Sequence, residues 1–385
     1  MKYMGSKRAM LQNGLGELLS SQIATGKRFV DLFCGSGAVG VHVAKHYSLP
    51  VVAFDLQRFS AVLSGAVIQR TRKLAWRTIW ERWRRRAQYR VRRRRAPRAE
   101  QVTKNSVEQY RRWCARQSDL PITRAYGGYY FSPEQAVWID ALRMSLPKTK
   151  PARTVALAAL IQAASQCAAA PGHTAQPFQP TRRGRIYLAD LWRRDIAERT
   201  ERAFCQLAQQ CARRRGSAEV ADANEVAARL RPGDVVFIDP PYSSVQYSRF
   251  YHVLETIAHG SCASVEGTGR YPPSRQRPRS RYSLKSEAET ALDELLKAVA
   301  KRHVRAILTF PNHTCSNGLS GDKVRRIAAR YFDTRKLTVE SRFSTLGGIG
   351  VNGKREAARA ARQPATELML VLGRRSGTTR RTATI

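Results

Sequence analysis

Asp234-Val-Val-Phe-Ile238, followed at once by Asp239-Pro240-Pro241-Tyr242, is the stretch from which the rest of the chain is read. Val235 to Ile238 is a short β-branched and aromatic run opened by the turn signal Pro232-Gly233-Asp234. That is the pattern of a strand buried inside a parallel sheet. Two prolines end it, because neither can donate to a ladder. The residue before a proline is held extended, so Asp239 is presented at the carboxyl edge of the sheet, where open α/β sheets bind ligands. An acid, a rigid backbone carbonyl and an aromatic ring are expected together at the mouth of a site. Alone, Asp-Pro-Pro reads equally as a strand-ending turn. Tyr242 and a second motif far upstream change that balance.

The second motif begins in Phe29 to Phe33, an apolar run around Asp31 that reads as a first strand. It enters Cys34-Gly-Ser-Gly-Ala-Val-Gly40, after which Val39, Val43 and Ala44 recur at helical spacing. Val51 to Phe54 is a second strand closing on Asp55. The glycines fit G-x-G-x-x-G as Gly35, Gly37 and Gly40. Asp55 stands where a carboxylate accepting from ribose hydroxyls is expected. The glycines alone are a weak signal. With a strand before, a helix after and an acid closing the next strand, they point to an adenosine-containing cofactor.

The chain has 385 residues, enough to bury a full α/β core with a second domain or a large insertion. Lys+Arg of 68 against Asp+Glu of 29 gives a net charge of +39, which predicts a polyanionic partner: nucleic acid or an anionic membrane surface. No apolar run approaches the ~18 residues of a membrane span. The longest, Val155 to Ala170, is interrupted by Gln162, Ser165 and Gln166. The first residues, Met1-Lys-Tyr-Met-Gly-Ser-Lys-Arg8, lack the apolar core of a signal peptide. Seven cysteines with no C-x-x-C pair read as reduced thiols, so a cytoplasmic protein is expected. His42 and His46 are four apart on the expected helix, but no glutamate-containing zinc motif surrounds them, and no metal is expected.

From Arg70 to Arg116 arginines crowd in, with Arg84–Arg86 and Arg92–Arg95 as runs and only Glu81, Glu100 and Glu108 to dilute them. Trp76, Trp80 and Trp83 share one helical face and are read as docking this segment on the core. The arginines are read as phosphate contacts, since so dense a block of one sign repels itself without a polyanion. Ser132-Pro-Glu-Gln135 is a capping box opening a helix through Leu146, and an alanine-rich buried helix is expected over roughly 152–170. Pro171 to Pro180 reads as a stiff polar loop, and 190–214 as helical and basic. Val220 to Asn224 reads as a strand edge offering Asp222. Further on, helices are expected over 247–257, 287–301 and 322–332, with strands over 304–310 and 367–372. A Pro- and Arg-rich loop spans 267–282, a flexible one Leu346 to Gly350, and 373–385 should fray. Strands alternating with helices indicate a doubly wound, Rossmann-like α/β domain.

Lys2-Tyr-Met-Gly-Ser-Lys7, Asp31-Leu-Phe-Cys-Gly-Ser-Gly37 and Asp239-Pro-Pro-Tyr242, in that order, resemble the amino-terminal, cofactor-loop and catalytic motifs of the DNA adenine methylase family. The order, with a large insertion between the cofactor half and the catalytic motif, resembles its alpha class. The resemblance implies an N6-adenine DNA methyltransferase using S-adenosylmethionine, on a methyltransferase sheet carrying a basic, mostly helical insertion. It implies a cofactor-binding half over 1–69, a target-recognition insertion over 70–185, a catalytic half over 186–373 and a disordered basic tail over 374–385. It implies catalysis by Asp239, Pro240, Pro241 and Tyr242. Cofactor contacts would come from Tyr3, Lys7, Asp31, Phe33, Gly35, Ser36, Gly37, Asp55, Asp222 and Asp239. A DNA partner, a companion restriction endonuclease and a nucleoid-associated location in the bacterial cytoplasm follow from the same resemblance.

The chemistry of these residue types agrees. The exocyclic amine of adenine is a poor nucleophile because its lone pair is delocalised into the ring. The Asp239 carboxylate and the Pro240 carbonyl can accept from its two N–H groups, drawing the nitrogen toward tetrahedral geometry. Tyr242 can stack on an adenine flipped from the duplex. The same chemistry on RNA adenine or on cytosine N4 is an alternative, although the latter usually shows a serine where Asp239 stands. A dehydrogenase would explain Gly35–Gly40 and Asp55 but leaves Asp239–Tyr242 and the charge unused. A non-catalytic nucleic-acid-binding protein would have no need of Asp239–Tyr242.

Overall fold

The computed structural model describes residues 7–344 and 362–375. They form a mixed α/β structure with seven strands and many helices, in two compact units. The strands are β1 (Arg28–Asp31), β2 (Val51–Asp55), β3 (Ser217–Val220), β4 (Asp234–Ile238), β5 (Arg305–Pro311), β6 (Phe332–Ser344) and β7 (Arg362–Arg374).

One unit holds Lys7–Phe33, Ala221–Ser244, 281–344 and 362–375, with its strands in the order β1-β4-β5-β7-β6. All five residues of β4 are buried, and it runs parallel to β1 on one side and β5 on the other. This is why its sequence is continuously apolar rather than alternating. Register is fixed at one end by charge. Arg28 pairs with Asp234 across β1 and β4, donating from Nη2 and Nε at 2.6 and 2.8 Å to the two carboxylate oxygens. Such a bidentate pair is sensitive to a slip of one residue. The helix Ala288–Lys301 turns Leu292, Leu295, Leu296 and Val299 inward at helical spacing.

The parallel order ends at β5. β7 is antiparallel to β5, and β6 is antiparallel to β7. The helix expected to reach Phe332 stops at Ala329, and Phe332 opens β6, a strand the sequence reading lacked. β7 begins before the expected strand, and Gly373 and Arg374 continue its ladder instead of fraying. The glycine loop at Leu346–Gly350 and the tail from Ser376 lie outside the described residues. The strand edge expected over Val220 to Asn224 ends at Val220; Asp222 instead caps the short helix Ala223–Ala227, accepting from Asn224 N at 2.8 Å.

The other unit holds Cys34–Val220 and Val245–Ser280. It contains the parallel pair β2 and β3 and a helical core in which Phe59, Leu63, Trp80, Trp83, Tyr126, Phe204 and Leu254 pack together. The helix Trp76–Arg92 enters this core through its tryptophans, as expected. Trp80 and Trp83 are buried, and Trp83 Nε1 donates to Leu142 O at 2.9 Å. The capping box forms, with Gln135 N on Ser132 Oγ and Ser132 N on Gln135 Oε1, both at 3.1 Å. The alanine-rich helix Lys150–Cys167 is buried along most of its length.

Three local readings change. The basic helix expected over 190–214 is two, Gly184–Trp192 and Ile196–Ala208, because Asp195 caps the second by accepting from Ala197 N and Glu198 N. The helix expected over 247–257 is also broken, into Tyr247–Phe250 and His252–His259. The Pro171–Pro180 loop is laid onto the core rather than held away from it. Thr174 is buried, its backbone N and its hydroxyl both donate to Phe250 O, and its carbonyl accepts from Tyr130 Oη at 2.6 Å. Among the described residues no helix is long and apolar enough to cross a membrane.

Candidate active site

The glycine loop is built in the unit that begins at Cys34. Gly35 and Gly37 adopt φ of +49° and +77°, the left-handed region in which a side chain is strained. Space forbids one at Gly37 as well, since a Cβ there would stand 2.8 Å from Ser64 Oγ and 3.3 Å from Ser64 Cα. The loop is tied to the next strand by Cys34 N on Phe54 O at 2.8 Å and by Gly35 N on Asp55 Oδ2 at 2.9 Å. Asp55 Oδ1 accepts from Gln57 N at 2.9 Å. The acid read as a ribose ligand is thus also the clamp that sets the glycine loop. Burial lifts its pKa to about 6, and the N–H groups of Gln57 and Gly35 oppose that rise.

A second anchor in the same unit has no signal in the local sequence. Both oxygens of Glu255, on the helix His252–His259, accept from the first amides of the helix Arg58–Ile68, Arg58 N and Phe59 N, each at 2.9 Å. Gln57, at the N-cap position, makes no capping bond of its own. A carboxylate supplied from nearly two hundred residues away caps the helix that follows the Asp55 turn.

The catalytic motif is built in the other unit. Asp239 leaves β4 with one oxygen engaged twice. Lys7 Nζ is 3.0 Å from Oδ1, and Thr309 Oγ1, on β5, donates to the same oxygen at 2.8 Å. Oδ2 has no partner among the described residues. Lys7 is buried, 4% exposed, and also lies 3.4 Å from Glu367 Oε2. Glu367 arrives because β7 pairs antiparallel with β5 and sets Glu367 opposite Pro311, at the carboxyl end of β5. Burial works against the Lys7 ammonium, yet Asp239 and then Glu367 outweigh it and hold its pKa above the ordinary lysine value. For Asp239 burial raises the pKa, Lys7 pulls it back, and Glu367 pushes it up again.

The backbone beyond Asp239 is also held. Asn317, 1% exposed, donates from Nδ2 to Pro241 O at 3.1 Å and to Tyr282 O at 3.0 Å. The Pro240 carbonyl accepts nothing among the described residues. The Tyr242 ring stands edge-on to Phe310, with centroids 6.5 Å apart. Such an arrangement can accept two N–H donors from an exocyclic amine, one on Asp239 Oδ2 and one on Pro240 O.

The remaining residues singled out in the sequence fall as follows. Tyr3 lies outside the described residues. Lys7 is brought to Asp239. Asp31 is buried at the end of β1, and Phe33 packs edge-on against Tyr282 at 5.1 Å. Ser36 sits between Gly35 and Gly37. The rings of His42 and His46 are 4.4 Å apart, and His46 Nδ1 lies 2.8 Å from His42 O. Glu255, Thr309, Asn317 and Glu367 were not found by the sequence reading.

The family model of D12 class N6 adenine-specific DNA methyltransferases matches residues 3–306. Among curated proteins, the chain is similar to modification methylase LlaI of Lactococcus lactis subsp. lactis, 25% identical over 82% of this chain and 46% of that protein. Type II methyltransferase M.FokI of Planomicrobium okeanokoites is 25% identical over 79% of this chain and 44% of its own length. Type II methyltransferase M.NlaIII of Neisseria lactamica is 24% identical over 86% of this chain and 88% of its own. The chain therefore spans about half the length of the first two of these relatives and most of the third.

Proposed function

The chain belongs to the D12 class N6 adenine-specific DNA methyltransferases, and on that premise we propose that it transfers a methyl group from S-adenosylmethionine to N6 of an adenine at a specific DNA site. The observation that carries the reading is Asp239, anchored through Oδ1 by Lys7 and Thr309 with Oδ2 left to accept. Oδ2 and Pro240 O take the two amine hydrogens and orient the nitrogen lone pair. Pro241, held by Asn317, keeps the Pro240 carbonyl in direction, and Tyr242 offers a face to the flipped base. Once the amine is methylated, its proton is lost toward the acceptor at Asp239.

The left-handed glycine turn at Gly35 and Gly37 and the carboxylate of Asp55 tied to it fit an adenosyl group. S-adenosylmethionine, when bound, supplies an electrophilic methyl on a sulfonium sulfur. Cofactor contacts are assigned to the loop Gly35-Ser36-Gly37, to Asp55, and to Tyr3, Lys7, Asp31, Phe33, Asp222 and Asp239. Residues 70–185 are assigned to DNA recognition, between a cofactor-binding half over 1–69 and a catalytic half over 186–373. The relatives are modification methylases and type II methyltransferases, and a companion endonuclease is assigned as partner. A location on the nucleoid follows from the DNA substrate. Incubation with S-adenosylmethionine labelled in its methyl group tests the whole reading. Label is expected in N6-methyladenine of DNA; label in RNA alone, in N4-methylcytosine or nowhere overturns it.

The pKa of Asp55 yields a separate prediction. Because burial raises it to about 6, its contribution to folding is fully present below the unfolded value near 4 and is lost as pH rises through 6. A ribose donating to the ionised carboxylate favours the opposite form. Cofactor affinity is therefore expected to fall as pH drops through 6, by roughly tenfold between pH 7 and pH 5. Asp55→Asn should bind more weakly at pH 7 and lose the pH dependence. Calorimetry showing one profile for both proteins removes Asp55 from the cofactor site.

A further inference from the structure

A groove of about 1120 Å³ lies along the C-terminal half of the helix Trp76–Arg92, within the unit that begins at Cys34. Its floor is apolar and buried: Leu120, Val137, Ala141 and Leu146. Its wall carries Arg85, Arg86, Arg90, Arg93 and Arg94, faced by Lys148 and Arg153, and no lining residue is acidic. Among the described residues only Arg94 of these cations is ion-paired, to Asp119. A solvated basic face would account for the charge. Two further features are not explained that way.

Tyr89 is 65% exposed and Met144 44%, two of the five large apolar side chains left exposed among the described residues, and both line this groove. Arg93 stands 5.7 Å from the centroid of the Tyr89 ring, and Tyr89 and Met144 share one groove rimmed by cations, the setting of an interaction site rather than of scattered exposure. Finally, Arg86 and Arg90 stand four residues apart on the helix, as do Arg85 and Tyr89, and Arg93 and Arg94 follow just past its last residue. On a helix that is a step of about 6 Å, comparable to the phosphate repeat of an extended strand.

We propose that this groove binds an unpaired segment of DNA, its phosphates on Arg86 and Arg90 and a base face against Tyr89 and Met144. Cations alone would serve a duplex backbone. An aromatic ring and a thioether reach a base only when it is free of its stack, because paired bases hide their faces. The proposal rests on the DNA reading above and adds to it the form of the nucleic acid at a place remote in sequence from the catalytic motif.

The test uses the full chain and a fluorescein-labelled oligo(dT), which has no adenine and so does not offer a methylation target. Anisotropy titrations compare it with an adenine-free dG·dC duplex and with vesicles containing phosphatidylserine. Arg86→Gln/Arg90→Gln should weaken oligo(dT) binding at least tenfold and flatten its log–log salt slope by about 1.4, the value for two phosphates on a single strand. Tyr89→Ala should weaken oligo(dT) about tenfold and leave duplex affinity unchanged. Cofactor affinity and melting temperature, read in parallel, report whether each variant folds. The groove assignment is overturned if Tyr89→Ala affects strand and duplex alike, if the arginine variant binds oligo(dT) as wild type does, or if vesicles bind where oligo(dT) does not. Absence of methyl transfer by the wild type, with these binding results intact, would sink the enzymatic reading and leave the groove standing.

Discussion

Asp239→Asn is expected to lower the single-turnover rate of adenine methylation by roughly 10²-fold or more, with a much smaller change in DNA and cofactor binding. The geometry makes this substitution harsher than the loss of a charge. Both partners of Oδ1 are donors, the Lys7 ammonium and the Thr309 hydroxyl. They will therefore select the rotamer that turns the asparagine oxygen toward them. The asparagine NH₂ then occupies the place of Oδ2, where the target amine also donates. An acceptor becomes a competing donor at the atom that must stabilise developing positive charge. Quenched-flow methylation of a duplex containing the target adenine reads the rate, and equilibrium binding is measured beside it. A variant that methylates at the wild-type rate would make Asp239 a strand-ending residue and move the active site elsewhere.

Lys7→Met is expected to destabilise the protein by about 3–5 kcal/mol at pH 8, because it leaves two carboxylates facing each other with their shared cation removed. Lys7 is buried between Asp239 and Glu367, so water cannot take over its role. The sign with pH follows from the raised pKa values. A lysine whose folded pKa exceeds its unfolded value stabilises fully below the unfolded value near 10.4, and that contribution is lost only as pH rises through the folded one. Asp239, also raised, favours folding most when protonated, below the unfolded value near 4. Without Lys7 the carboxylates can relieve the strain only by binding a proton. The defect should therefore shrink toward pH 5, and any residual activity should need a higher pH to ionise Asp239. Lys7→Met/Glu367→Gln should recover much of the stability by removing one carboxylate, but little of the activity. Urea denaturation at pH 5 and pH 8 decides this: an equal loss at both would mean that Lys7 serves packing rather than charge.

Some of this site was legible in the chain itself. β4 and its end could be read because a continuous apolar run and two prolines act on the backbone that carries them. The glycine loop could be read for the same reason, since a φ of +77° at Gly37 is a local demand that glycine meets. The tryptophans of Trp76–Arg92 disclosed their inward face through helical spacing alone. The +39 charge pointed to a polyanion without any fold, because net charge acts at long range whatever the shape.

The partners of the functional groups were decided elsewhere. Lys7 and Glu367 are 360 residues apart, and nothing around either announces the other. They meet because β7 runs antiparallel to β5, a pairing that sets Glu367 beside Pro311, and a one-residue slip would turn its side chain to the opposite face. Glu255 caps a helix nearly two hundred residues before it, and Asn317 holds a carbonyl 76 residues before it. Sequence determined which backbone turns and which acid would be presented, since those depend on neighbours along the chain. Which charges surround that acid, and hence whether it stays ionised, depends on burial and on groups delivered by sheet register, and only the tertiary structure settles those.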